Sequence, residues 1–118
     1  MQNNVYLIVE PNSIIASDLA LSVQDFHREA NVLTAVSHEE AIERLTDIVS
    51  VQLAFIHMDP HKFDKTDLAR CLVARGARLV YIGGAAEQSE AGRLVLHRPF
   101  TQQSTADLLH RIETSVAA

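Results

Sequence analysis

A chain of 118 residues with 47% hydrophobic side chains can bury the core of one compact domain, residues 1–118, and leaves no room for a second. With 10 basic against 15 acidic residues the formal net charge is −5, which opposes non-specific attraction to nucleic acid or anionic lipid. Cys71 is the single cysteine, residues 1–4 lack the basic end of a signal peptide, and no apolar run approaches membrane-spanning length, so the expectation is a soluble, cytoplasmic protein.

The first predicted strand, residues 5–9, is short, β-prone and apolar on both faces, as a central parallel strand must be. Pro11 ends it. Asn12 or Ser13 can cap a helix whose apolar positions Ile15, Leu19, Val23 and Phe26 recur at helical spacing. Residues 32–36 form a second strand, and Ser37 with Glu40 three positions on is a capping-box signature for a helix that turns Ala41, Ile42, Leu45 and Ile48 inward. Residues 52–56 are the third strand, followed by a loop with Pro60 and a helix over about 64–74 that Gly76 terminates. A fourth strand over 78–82 runs into Gly83 and Gly84, with a weakly patterned helix over 85–91. The fifth strand is 94–97. From Thr101 a closing helix carries Leu108, Leu109, Ile112 and Val116 on one side. Five strands alternating with five helices through short connections imply an α/β fold with a parallel sheet covered on both faces.

In such sheets ligands collect at the carboxyl ends of the strands. The third strand ends in His57. The turn Glu10-Pro11-Asn12 after the first strand has none of the glycines that a phosphate-cradling loop needs, so a dinucleotide or P-loop reading is weak. No Ser/His/Asp order suggests a hydrolase, and Cys71, beside Leu72 and Val73, reads as a packed residue. His57, Asp59 and His61 alternate at a spacing that would align three zinc donors if the segment were extended; solvated loop histidines are the plainer account.

The order of elements, Val9-Glu10-Pro11-Asn12 after the first strand, the run from Leu53 to His57, Pro60 and Asp64 downstream, and Arg98-Pro99-Phe100 after the fifth strand resemble the receiver domain of two-component response regulators over essentially the whole chain. The resemblance implies a flavodoxin-like (βα)5 sandwich with strand order 2-1-3-4-5. It also implies an aspartate at the third strand end that accepts phosphate from a histidine kinase, Mg²⁺ held by that aspartate and an acidic pair after the first strand, a Ser or Thr after the fourth strand and a Lys after the fifth. Carried over by position, Glu10 matches the first acid, Pro11 stands where the second belongs, His57 occupies the phosphoacceptor position, Gly83 the Ser/Thr position and Arg98 the Lys position. Val95 replaces the aromatic that changes rotamer on activation.

Two of the family's carboxylates are thus replaced by proline and imidazole, and Mg²⁺, which wants hard oxygen ligands, is expected to be lost. His57 cannot form an aspartyl phosphate, and without the metal little neutralises charge as a phosphoryl group moves. The expected protein is a degenerate, or pseudo-, receiver: no enzyme, no cofactor, and action through protein-protein contact. The resemblance implies that a signalling partner, or a second copy, engages the surface of the fourth predicted helix, fifth strand and fifth helix, residues 85–116, with Glu87, Gln88, Arg93, Gln102 and His110 among its polar groups. A merely solvated face accounts for them equally. Three alternatives stay open: a phosphorelay component that uses Asp59, after a register slip, or His57; a metal- or pH-responsive switch at His57; and, for Arg98, an anion sensor against an ion pair with Glu10 or Asp59.

Overall fold

The computed structural model describes the backbone of residues 5–58, 60–83, 94–97 and 102–117, and side chains within 5–58, 61–82 and 105–112. Its strands are β1 (Val5–Val9), β2 (Asn31–Ala35), β3 (Leu53–Ile56), β4 (Arg78–Gly83) and β5 (Leu94–His97); its helices are α1 (Ser13–Phe26), α2 (His38–Arg44), α3 (Pro60–Phe63), α4 (Asp67–Ala74) and α5 (Gln102–Ala117). The strands form one parallel sheet in the order β2-β1-β3-β4-β5, the order that the resemblance implies. The predicted helix over 85–91 lies outside the described residues.

The pleat sorts the apolar residues into two cores. Val5, Leu7, Val9, Ala54, Ile56 and Tyr81 project to one face, where Ala41, Leu45, Phe63, Leu68 and Leu72 cover them. Tyr6, Ile8, Leu53, Phe55, Val80 and Ile82 project to the other, under Ala16, Leu19 and Val23 of α1 and Leu108, Leu109 and Ile112 of α5. Every residue of β1 is buried because both faces are covered, which is why its sequence is apolar without alternation. Among the described residues no helix is long and apolar enough to cross a membrane.

Local chemistry sets the helix ends. The Asn12 side chain accepts from the amides of Ile14 and Ile15, opening α1. The buried stripe of α1 starts at Ala16, whereas Ile15 is half-buried; Phe26 packs at the core's margin. Ser37 caps α2 through the Glu40 amide, as the sequence suggests, yet the Glu40 carboxylate reaches back past Ser37 to accept from Val36 N–H at 2.8 Å. α2 is shorter than expected. Leu45 is its C-cap, and Ile48 packs on the core from beyond the helix.

The largest departure from the sequence reading lies in the third connection, where the short α3 occupies the expected loop and the helix expected over about 64–74 starts only at Asp67, as α4. Thr66 makes the break. Its Oγ1 donates to the Phe63 carbonyl at 2.7 Å and accepts from the Ala69 amide at 3.1 Å, ending one helix and capping the next. The turn lets Phe63 insert fully between His38 and Tyr81, with both rings edge-on to it. Gly76 closes α4 as predicted. It has φ 74°, its amide bonds the Val73 carbonyl and the Ala77 amide bonds that of Leu72, which is a Schellman motif.

Candidate functional site

The site sits at the carboxyl ends of β1 and β3. These strands pair in parallel with Val9 opposite Ile56, so the next residues in register are Glu10 and His57. The His57 amide donates to the Val9 carbonyl (3.1 Å) and the Glu10 amide to the Ala35 carbonyl (3.0 Å), which extends the ladder one step past the strands on each side. Val9 and Ile56 face the α2/α4 core, and alternation therefore sends Glu10 and His57 to the opposite side, toward the start of α1.

There the two side chains meet. Nδ1 of His57 donates to Oε1 of Glu10 at 2.8 Å. Glu10 is 1% exposed, while 31% of the His57 side chain reaches solvent. The second carboxylate oxygen, Oε2, accepts from the Asn12 amide at 3.0 Å. Asn12 in turn caps α1, so one chain of hydrogen bonds joins the end of β3, the end of β1 and the first turn of α1. A carboxylate buried this deeply requires such partners, because a buried acceptor left unpaired costs about 1–3 kcal/mol or more when charged.

The chemistry available to this arrangement is narrow. Both oxygens of Glu10 are engaged, Pro11 is exposed and its side chain carries no donor atom, and the third position presents a ring nitrogen where a hard cation needs oxygen. The described residues at this lip do not fit Mg²⁺. Nor do they fit zinc: His61 belongs to α3, so the extended alternation that would align it with His57 is absent, and among the described residues no group of three His, Cys, Asp or Glu could hold a metal. What remains is an imidazole with one nitrogen fixed by a buried carboxylate and the other directed away from it.

The other predicted site residues divide cleanly. Gly83 ends β4, on the strand next to β3 and two residues past Tyr81, the partner of Ile56. It pairs in register with His97, and Val95 pairs with Tyr81. Asp59 and Arg98 lie outside the described residues, as do Glu87, Gln88 and Arg93 of the expected partner face. Asp64 is exposed and lines an open apolar groove of about 380 Å³ with Ala69, Arg70, Val73, Ala74 and Leu79, beside α4 and not at the strand ends. Cys71 is half-buried against the α2/α4 core. Sequence reasoning set His57 near Glu10 and Arg98 but gave Glu10's ion pair to Arg98, and so did not read the hydrogen bond between Glu10 and His57. Asn12 was seen only as a cap, and its backbone link to Glu10 has no sequence signal.

No family model matches the chain, and no curated protein matches it by sequence. Solved structures do. The BeF3-activated conformation of SdrG from Pseudomonas melonis Fr1 superposes with a TM-score of 0.63 at 23% identity, covering 95% of this chain and 98% of that one. SdrG from Sphingomonas melonis Fr1 gives 0.59 at 23% identity over 96% and 99%. A protein from Chloroflexus aurantiacus J-10-fl, provisionally assigned as a response regulator, gives 0.61 at 15% identity over 99% and 100%. Near-complete coverage in both directions, together with the 2-1-3-4-5 sheet, shows that the chain has the receiver-like form of the flavodoxin-like fold.

Proposed function

We propose that the chain is an atypical signal-receiver domain of two-component or phosphorelay signalling, cytoplasmic and without enzymatic activity, that forms no aspartyl phosphate and acts through protein-protein contact. The observation that carries this reading is the bond between His57 and Glu10. By the resemblance to receivers, His57 stands where the acceptor carboxylate belongs and Glu10 matches the first metal-site acid, and the His57 imidazole engages one oxygen of Glu10. The same geometry supports a loss of Mg²⁺ binding, since a cation would have to displace His57 and the Asn12 amide from Glu10 to gain a single carboxylate. With no phosphate to read, output would rest on a surface, and the face over residues 85–116 is the one we assign to a signalling partner or a second copy of the chain. That assignment comes from the resemblance of the sequence to receivers.

The test is incubation of the whole chain with acetyl phosphate and Mg²⁺, followed by intact-mass measurement before and after hydroxylamine, which cleaves acyl phosphates. No hydroxylamine-labile gain is expected. A gain of one phosphoryl group that hydroxylamine removes and that Asp59→Asn abolishes would overturn the proposal in favour of an Asp59 acceptor.

A further inference from the structure

We infer that the open edge of β2 pairs antiparallel with β2 of a second copy of this chain, with Leu33 on the two-fold axis. β2 is an edge strand of the sheet, bonded on one side to β1. Along a strand the backbone N–H and C=O groups of successive residues point to opposite sides. The Ala35 carbonyl accepts from the Glu10 amide, which turns the backbone groups of Leu33 and Ala35 toward β1 and those of Val32, Thr34 and Val36 toward the open side. The Val36 amide is already taken by the Glu40 carboxylate at 2.8 Å. Among the described residues nothing bonds the outward groups of Val32 and Thr34. Protein edges are commonly blunted by a charge, a proline or a bulge. From Asn31 to Val36 there is no charge and no proline, and the β1–β2 register runs without a bulge. Val32, Leu33 and Thr34 are half-buried and Val36 is exposed, so the edge can be reached.

The free groups complement themselves. With Leu33 facing its own copy, Val32 stands opposite Thr34 of the copy and Thr34 opposite Val32, so that every free donor and acceptor on both strands is satisfied. The neighbouring registers do worse. Centring on Thr34 sets Val32 against Val36, whose amide is spent on Glu40, and centring on Val32 sets Thr34 against Ala30, whose amide bonds the His27 carbonyl. The antiparallel sense also carries exposed Arg28, which precedes β2, toward exposed Glu39 of the copy, which follows it. A strand of 5 residues buries little area, so the dimer is a weak one that forms and parts with concentration. β5 lies at the opposite edge of the sheet, so this interface is separate from the face over residues 85–116 and does not rest on the proposed function.

The test is sedimentation of the whole chain from micromolar to millimolar concentration, with amide exchange followed by NMR over the same range. Near-physiological salt screens the charge of each copy beyond about 8 Å. A dimer that dissociates on dilution is expected, with exchange at Val32 and Thr34 slowing as concentration rises while that at Val36 does not change. Thr34→Pro removes an outward N–H that the sheet does not use, and should weaken association by about tenfold or more with circular dichroism unchanged. In a Cys71→Ser background, Leu33→Cys should cross-link under mild oxidation, because a non-hydrogen-bonded antiparallel pair sets its Cα atoms about 4.5 Å apart, and Thr34→Cys should not. A chain that stays monomeric at millimolar concentration, leaving the edge to a strand of another protein, overturns the proposal. So does a dimer undiminished in folded Thr34→Pro, or a cross-link in Thr34→Cys with none in Leu33→Cys. The cysteine variants decide the matter if Thr34→Pro does not fold.

Discussion

Glu10 and His57 are 47 residues apart in sequence and adjacent in the sheet, the carboxylate sealed from solvent and the imidazole open to it. The pair therefore acts as a lid on its own acid: His57 supplies at the strand ends a hydrogen-bond donor for Glu10 that comes with the chain.

Removing the acid should cost more than removing the base. Glu10→Ala leaves both the Asn12 amide and Nδ1 of His57 without their acceptor at a buried point, and a loss of about 1–3 kcal/mol is expected. His57→Gln can still donate to Glu10 and should lose about 1 kcal/mol or less. Urea denaturation of the two variants checks the order; a His57→Gln variant less stable than Glu10→Ala would contradict it.

Restoring carboxylates should restore the cation. With Pro11→Asp and His57→Asp together, three acids stand at the lip beside one another, and their mutual repulsion favours a bound divalent ion. The double variant is expected to melt at lower temperature than the native chain in EDTA and to recover on adding Mg²⁺, while the native melting temperature stays where it was. A rise in the native chain's melting temperature with millimolar Mg²⁺ would show that the present lip already binds it.

Gly76 supplies a backbone test free of packing. It stands at φ 74°, and a Cβ built there meets nothing within 4 Å, so Gly76→Ala carries only the conformational penalty of the left-handed region, about 1 kcal/mol. Gly76→Asn should cost less, because asparagine tolerates this region better. Equal stability of native and alanine forms in a denaturant series would show that the turn relaxes.

Arg75 is the tie between α4 and the segment that follows α2. Its guanidinium donates to the carbonyls of Ile48 (2.8 Å), Cys71 (3.0 Å) and Leu45 (3.1 Å). Lysine cannot reach all three with one nitrogen. Arg75→Lys is expected to lose about 1–2 kcal/mol and to speed amide exchange at Leu45 and Ile48, where the native chain ends α2 early. Exchange rates unchanged at these two amides would show that the Arg75 bonds do not hold this segment.

The chain by itself determined what depends on near neighbours. The apolar run of β1 identifies a strand covered on both faces, Asn12, Ser37 and Gly76 mark helix ends through chemistry that spans a few residues, and the alternation of strands with helices implies a parallel sheet, whose 2-1-3-4-5 order is what the resemblance to receivers implies. Glu10 and His57 could be singled out because they end strands, where a parallel sheet exposes its reactive edge. Only the tertiary structure decided how they are used. That Glu10 takes His57 and the Asn12 amide as partners depends on register between strands, and register is a property of the assembled sheet. The turn of helix at Pro60–Phe63, read from the sequence as loop, is likewise non-local: it accompanies the burial of Phe63 between His38 and Tyr81, and Thr66 separates it from α4. Short-range hydrogen bonds and periodicity are written along the chain, whereas the pairing of two polar side chains in a closed pocket is settled by which surfaces the folded core brings together.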